Sequence, residues 1–247
     1  MQSRYLLGVA LFCFTYIVLG SNNYILPYFL QAGLGYSWEA IGSFQAYGLV
    51  GALITWEIMF IVVPKYPAPK KFFLAGFAAL IGFGWLCSSL TPSANMWSNI
   101  LPAVLLNGCF VILVLATAAM QTFRDVQQTD TLFAHAYQIK NMLGQIAMAM
   151  GTTIATLFLQ WRTTTQYNNL NGHLSSGDPL YLEQTQHLTQ MLSPQVGDSQ
   201  AVQMAVSTLS QTLLQQSTLV ASMEYFYLIT VVGLLALIAS MTQKIFR

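Results

Sequence analysis

Of 247 residues, 55% are hydrophobic and only 7% are Asp, Glu, Lys or Arg. A soluble domain carries about 25% charged residues, and a water-exposed fold of this size has nowhere to hide so much apolar surface. The composition excludes an ordinary soluble enzyme or binding module, and a net charge of +1 offers nothing to attract a nucleic acid.

Crossing the hydrocarbon core takes about 20 mainly apolar residues. Six stretches meet that length, near 5–30, 39–63, 72–90, 99–123, 136–160 and 223–243. Backbone groups in lipid must bond internally, so these spans are expected to be helices. The run 104–116 shows no period of two, which argues against an outer-membrane barrel. The expected fold is an all-α membrane protein, a six-helix bundle with one long, partly helical outer loop.

The first span, 5–30, is too long for the apolar core of a signal peptide and precedes no convincing cleavage site, so a retained helix is expected. It carries Ser21, Asn22, Asn23 and Tyr24. Residues 31–38 read as an outer turn ending in Trp38, a side chain suited to the interfacial aromatic belt. The second span holds Gln45, Tyr47 and Glu57, and its Gly48 and Ala52 form a small-xxx-small pair that lets helix backbones approach closely. ProLysTyrProAlaProLysLys at 64–71 reads as a rigid basic turn whose prolines end one helix and delay the next. After the third span, residues 91–98 form a second outer turn bearing Trp97. Asn107 lies within the fourth span. The fifth span carries Gln138, Lys140, Asn141 and Gln145, followed by a stripe of small residues at Ala147, Gly151 and Ala155.

Residues 161–222 are rich in Gln, Thr and Ser with turn signals near 168–172, 175–179 and 193–198, and read as a long outer loop. Two surface helices are expected inside it, 180–192, with Asp178 as N-cap, and 199–220, where Val202, Val206, Leu209, Leu213 and Val220 recur at roughly helical spacing. His173 and His187 and three acids are scattered there without ligand spacing, so a cap or packing element is expected. The organisation is therefore 1–160 with five spans, 161–222 as the outer loop, and 223–247 as the sixth span and tail.

Charge placement orients the chain. Arg4, Lys65, Lys70, Lys71, Arg124, Lys244 and Arg247 all fall on one side of an even number of spans, which the positive-inside rule makes cytoplasmic. Glu39, Asp178, Glu183, Asp198 and Glu224 fall on the other, with Arg162. Both termini are expected inside. Cys13, Cys87 and Cys109 each sit within a span without CxxC spacing, so packing roles are expected and no metal or other cofactor is implied.

Ionisable residues at membrane depth are functional candidates because they are costly. Glu57 and Lys140 both lie within about 10 Å of the inner boundary at 1.5 Å per residue. They would meet if spans two and five are neighbours, giving a proton-titrating site or an inner gate. The plainer alternative is a helix-end ion pair, or a Lys140 that snorkels to the headgroups. The amides within the spans, with Tyr16, Tyr24, Tyr28 and Trp56, would suit a hydrated cavity for a lipophilic substrate, though amides and aromatics also serve ordinary helix packing.

Two segments resemble a known family. AsnTyrIleLeuProTyrPheLeuGlnAlaGlyLeuGlyTyrSerTrpGluAlaIleGly (23–42) is similar to the end of the seventh core helix of major facilitator transporters of the EmrB/QacA-type, fourteen-helix drug:proton antiporter branch, which carry Leu-Pro-x-Tyr-Leu-Gln…Leu-Gly-Tyr-Ser there. GlnIleLysAsnMetLeuGlyGlnIleAlaMetAlaMetGly (138–151) is similar to the branch's Arg-x-Leu-Gly-Gly-x-x-Gly helix, and the polar loop ending AlaSerMetGluTyrPhe (221–226) also resembles it. The family's Arg falls on Asn141, one place after Lys140, and the turn 64–71 is a degenerate form of the Gly-x-x-x-Asp-Arg-x-Gly-Arg loop without its Asp.

The resemblance covers essentially the whole chain, as the C-terminal half of such a transporter. It implies a bundle whose first and fourth helices line a central cavity and whose second and fifth meet the other half. Asn22, Asn23, Tyr24 and Asn107 would then face substrate, and Glu57, Lys140, Asn141 and Gln145 would lie near the seam. The implied activity is proton-coupled efflux of lipophilic or cationic compounds from a bacterial inner membrane, with a missing six-helix half as partner. The competing reading is a self-contained six-helix protein acting with a second copy as a homodimeric carrier. An intramembrane enzyme is not expected, since there is no GlyxSerxGly elbow, HisGluxxHis pair or pair of intramembrane aspartates.

Overall fold

The computed structural model describes residues 2–66, 68–92, 94–124, 130–173 and 179–243. Asp178, Lys244 and Arg247 lie outside them. The described residues form seven α-helices and no strand: α1 Gln2–Tyr28, α2 Trp38–Lys65, α3 Pro69–Ser88, α4 Leu101–Phe123, α5 Asp130–His173, α6 Pro179–Val196 and α7 Asp198–Thr242. Six of these, all but α6, are long and apolar enough to cross a membrane.

Local chemistry sets the helix ends. The Ser37 hydroxyl caps α2 by accepting from the Ala40 N–H at 3.3 Å, with Glu39 in the first turn where the helix dipole favours a carboxylate. Pro69 opens α3 at a position whose N–H needs no partner. Pro27 interrupts α1 near its end, and the chain continues as a π-helical turn, Phe29–Gly33. The Asn95 side chain accepts from the Trp97 N–H at 2.8 Å and starts a second π-turn, Met96–Ile100, that runs into α4.

The helices pack in two layers. In the front row α2 lies on α4, α4 on α1, and α1 on α5; behind it, α3 packs on α4 and α7, and α7 packs on α5. A Phe cluster fills the space between the layers. The Phe226 ring stands edge-on to Phe29 and Phe83, with centroids 5.5 and 5.6 Å away, and all three are fully buried.

Glycines draw the front row together. A Cβ on Gly151 would sit 2.1 Å from the Ile17 carbonyl oxygen, and one on Gly20 would sit 2.4 Å from that of Met148, so α1 and α5 touch backbone to backbone. The α2–α4 crossing is built the same way, with Gly108 against the Gly48 carbonyl and Gly51 against that of Leu105. The small stripe of the fifth span, Ala147, Gly151 and Ala155, is buried, with Gly151 in the α1–α5 contact.

The region 161–222 departs from expectation. Instead of a loop holding two separate surface helices, α5 runs on without a break to His173, and 199–220 is continuous with the sixth span in α7. The expected helix 180–192 appears as α6, which packs along α7. At 1.5 Å per residue, α5 with 44 residues and α7 with 45 are each about 66 Å long, roughly twice the hydrocarbon thickness. A tight turn at Gly197, whose φ of +80° suits glycine, joins α6 to α7.

Candidate functional site

The two central helices of the front row meet through their amides. The Asn22 side chain, fully buried on α1, donates from Nδ2 to Asn107 Oδ1 of α4 at 3.0 Å. Its own Oδ1 accepts from the Tyr225 hydroxyl of α7 at 2.8 Å. Next to it, Ser21 Oγ lies 2.9 Å from the Gly151 carbonyl of α5. Residues 21 and 22 therefore tie α1 to three other helices at one level, and Asn22 is satisfied inside the bundle. Tyr225 was not among the residues singled out in the sequence, where it stands 203 positions from Asn22.

Asn23, one residue on, points the other way. From 11 to 34, α1 and its π-turn are buried or half-buried at every position except Asn23, which is exposed. Tyr24 is half-buried and stacks on Tyr28 at 6.3 Å between centroids. The four cavity candidates thus divide. Asn22 and Asn107 brace α1 against α4, while Asn23 and Tyr24 reach the surface of the bundle.

The flanking helices carry bare polar side chains. Gln138, Asn141 and Gln145 are exposed on α5 at i, i+3 and i+7, which places them on one face. Glu57 is exposed on α2. None of these four has a hydrogen-bonding or ionic partner among the described residues. Around them lies apolar surface, including Leu53, Trp56 and Phe60 on α2 and Met142, Ile146 and Met150 on α5.

Spans two and five are not neighbours, so Glu57 and Lys140 do not meet. Two helices, α4 and α1, separate α2 from α5. Lys140 is 8% exposed and turns into the bundle, its Nζ 4.6 Å from the Tyr137 ring centre and 5.1 Å from that of Phe12. Aromatic faces attract a cation electrostatically, so these rings take the place of a carboxylate.

A second polar station lies where α5 leaves the apolar part of the bundle. Arg162 donates from Nε and Nη2 to the two carboxylate oxygens of Glu224 at 2.6 and 2.5 Å, and Gln166 donates to Glu224 Oε1 at 2.8 Å. This bidentate pair clamps α5 to α7. No described group of three or more His, Cys, Asp or Glu side chains is placed to hold a metal ion.

Comparison of the chain with protein-family models, with curated proteins and with solved structures finds no match to any of them.

Proposed function

We propose that the chain is one six-helix half of a major-facilitator-type carrier, of the multidrug drug:proton antiporter branch, that exports lipophilic or cationic compounds across a bacterial inner membrane with both termini cytoplasmic. The observation that carries this reading is the outward polar face of α2 and α5, Glu57 on one and Gln138, Asn141 and Gln145 on the other. Amides and a carboxylate at membrane depth are costly against lipid and are retained where protein or water meets them. A second six-helix body laid across the front row would supply both, a protein seam along α2 and α5 and a wet cavity between them.

The packing supports the same reading. Exchanging the first three spans with the last three carries the α1–α5 contact onto α4–α2 and the α3–α7 contact onto itself, while the α5–α7 contact has no comparable α2–α3 counterpart. Glycine-to-backbone approaches occur at both exchanged crossings. Paired three-helix repeats within a six-helix half are the construction of this transporter class, in which two halves rock about a midplane site. In this proposal Asn23 and Tyr24 border the cavity, and Asn22 and Asn107 hold its wall in place. Glu57 is the proton-titrating group, Asn141 and Gln145 belong to the seam, and Lys140 steadies α5 against α1 beside it.

The test is transport by the chain purified together with whatever six-helix partner accompanies it, in liposomes with an imposed pH gradient and a fluorescent lipophilic cation. Uphill cation movement that a protonophore abolishes is expected. Its absence, with the partner present, overturns the proposal. Disulfide crosslinking from Gln145→Cys identifies the partner, and a crosslink to a second copy assigns the homodimeric carrier instead.

A further inference from the structure

At the basic end of the bundle, two hollows adjoin. The first is an apolar groove of about 460 Å³ between α2 and α4, lined by Trp56, Phe60 and Pro64 on one side and Ala116 and Ala119 on the other. The second, of about 260 Å³, lies between the end of α2, the start of α3 and the last two turns of α4. Val63 and Met120 line both, so the two are continuous.

The smaller hollow is polar in an unusual way. Thr117, Gln121 and Arg124 line it from α4, at i, i+4 and i+7 on one helix face. Thr117 is fully buried. Hydroxyls inside apolar helices ordinarily bond the carbonyl four residues back, as Thr15, Thr55, Thr122 and Thr230 do here. Thr117 makes no such bond, and its Oγ1 has no partner. The Gln121 Oε1 is likewise buried without a donor. Among the described residues three buried side-chain polar atoms lack a partner, and two of them belong to residues that line this one hollow. A buried polar atom left unmatched is destabilising, so the pair points to a missing ligand.

We propose that this end of the bundle holds a phosphoglyceride whose headgroup carries hydrogen-bond donors. An acyl chain lies in the α2–α4 groove, the phosphate meets the Arg124 guanidinium, and the head amine or hydroxyl donates to Gln121 Oε1 and engages the Thr117 hydroxyl. The guanidinium matches a phosphate in charge and geometry. The orphaned Gln121 oxygen accepts only from a donor, which ethanolamine and glycerol heads possess and a choline head lacks. About two turns of apolar wall on α2 beside a polar pocket at a helix end is the layout of a lipid, tail inward and head outward. The exposed Lys65 and Lys71 on the same turn add positive charge at that level. The site rests on the six helices crossing a membrane and is independent of transport.

The experiment places the full chain in nanodiscs of equimolar dioleoyl phosphatidylethanolamine, phosphatidylglycerol and phosphatidylcholine, transfers it to detergent and counts retained lipids by native mass spectrometry. Ethanolamine and glycerol lipids are expected to be retained about tenfold over choline lipid, the factor that one matched buried hydrogen bond supplies. Thr117→Val with Gln121→Leu should erase that preference, and Arg124→Gln should lower retention of all three. Thr117→Val is nearly isosteric and removes an unmatched hydroxyl; should it fail to fold, Gln121→Leu alone reads the same preference. Equal retention of the three lipids, or a preference untouched by these variants, overturns the proposal. Displacement of the lipid by millimolar inorganic phosphate also overturns it, assigning a headgroup-only anion site. Release of the chain from membranes by alkaline carbonate would instead remove the six-span reading on which the lipid depends, whereas absent transport leaves the site standing.

Discussion

Asn22 bonds two helices at once, donating to Asn107 at 3.0 Å and accepting from Tyr225 at 2.8 Å. Removing it strands both partners, whereas removing either partner strands only one half of the Asn22 amide. Asn22→Leu should therefore destabilise the bundle by about 1–3 kcal/mol, and Asn107→Leu or Tyr225→Phe by about 1 kcal/mol each. Reversible unfolding in mixed micelles reads the series, and a double-mutant cycle between 22 and 225 should show coupling. Purely additive losses would assign the three residues to separate packing roles.

The front-row glycines should be intolerant in proportion to what their missing side chains would strike. Gly151→Ala puts a methyl 2.1 Å from the Ile17 carbonyl, a contact with backbone that cannot rotate aside. It should separate α1 from α5 and lower the melting temperature by several degrees. Gly42→Ala, with nothing within 4 Å, should be neutral or raise stability by up to about 1 kcal/mol through helix propensity. Thermal melting of the two variants side by side is sufficient.

The Arg162–Glu224 clamp is about a third exposed, with side-chain exposures of 26% and 31%, so water screens it. Glu224→Gln should cost no more than about 1 kcal/mol. Its effect on local opening should be larger than its effect on stability, because a single amide oxygen cannot accept from both Arg162 and Gln166 as the two carboxylate oxygens do. Faster amide exchange confined to 160–170 and 218–226 is the expected signature; uniform exchange changes would point to a global effect.

Glu57 and Lys140 separate by role. Glu57→Gln should leave folding unchanged, since the side chain is exposed and bonds nothing described, yet, on the transport function proposed above, abolish proton-driven efflux after reconstitution. Unchanged efflux and pH dependence would make Glu57 a surface residue. Lys140→Met exchanges cation–π attraction, about 0.5–2 kcal/mol, for release from burying a charge, so stability should move by less than about 1 kcal/mol. A large destabilisation would mean that the ammonium holds α5 to α1 more tightly than its two ring contacts imply.

The spans were legible because uncharged apolar runs of membrane length admit little else. The long helices were not. Between 198 and 232 there is no Gly or Pro, and between 152 and 171 none either; that absence was the available signal, masked by a Gln-, Thr- and Ser-rich composition that resembles a loop. Polar residues were found where they occur, and Asn22 and Asn107, 85 positions apart, do meet. Partnership was harder, because it depends on which helices adjoin. Glu57 and Lys140 sit at similar depth, but α4 and α1 come between their helices. Thr117 and Gln121 gave no sequence signal at all, since a polar residue in a span looks the same whether its bond is made or missing.

The unbroken length of α5 and α7 has a mechanical consequence. A helix without a joint moves as a rod, so a tilt within the bilayer must swing the projecting end, and the farther the tip the wider its arc. If the six helices cross a bilayer, about half of each rod stands outside the hydrocarbon, and with the Arg162–Glu224 clamp lashing the two together the projecting spur would act as a pointer. Small rearrangements among the buried helices would be displayed, enlarged, to whatever lies outside the membrane, and a grip on the spur would be felt in turn at the crossing of Gly20 and Gly151.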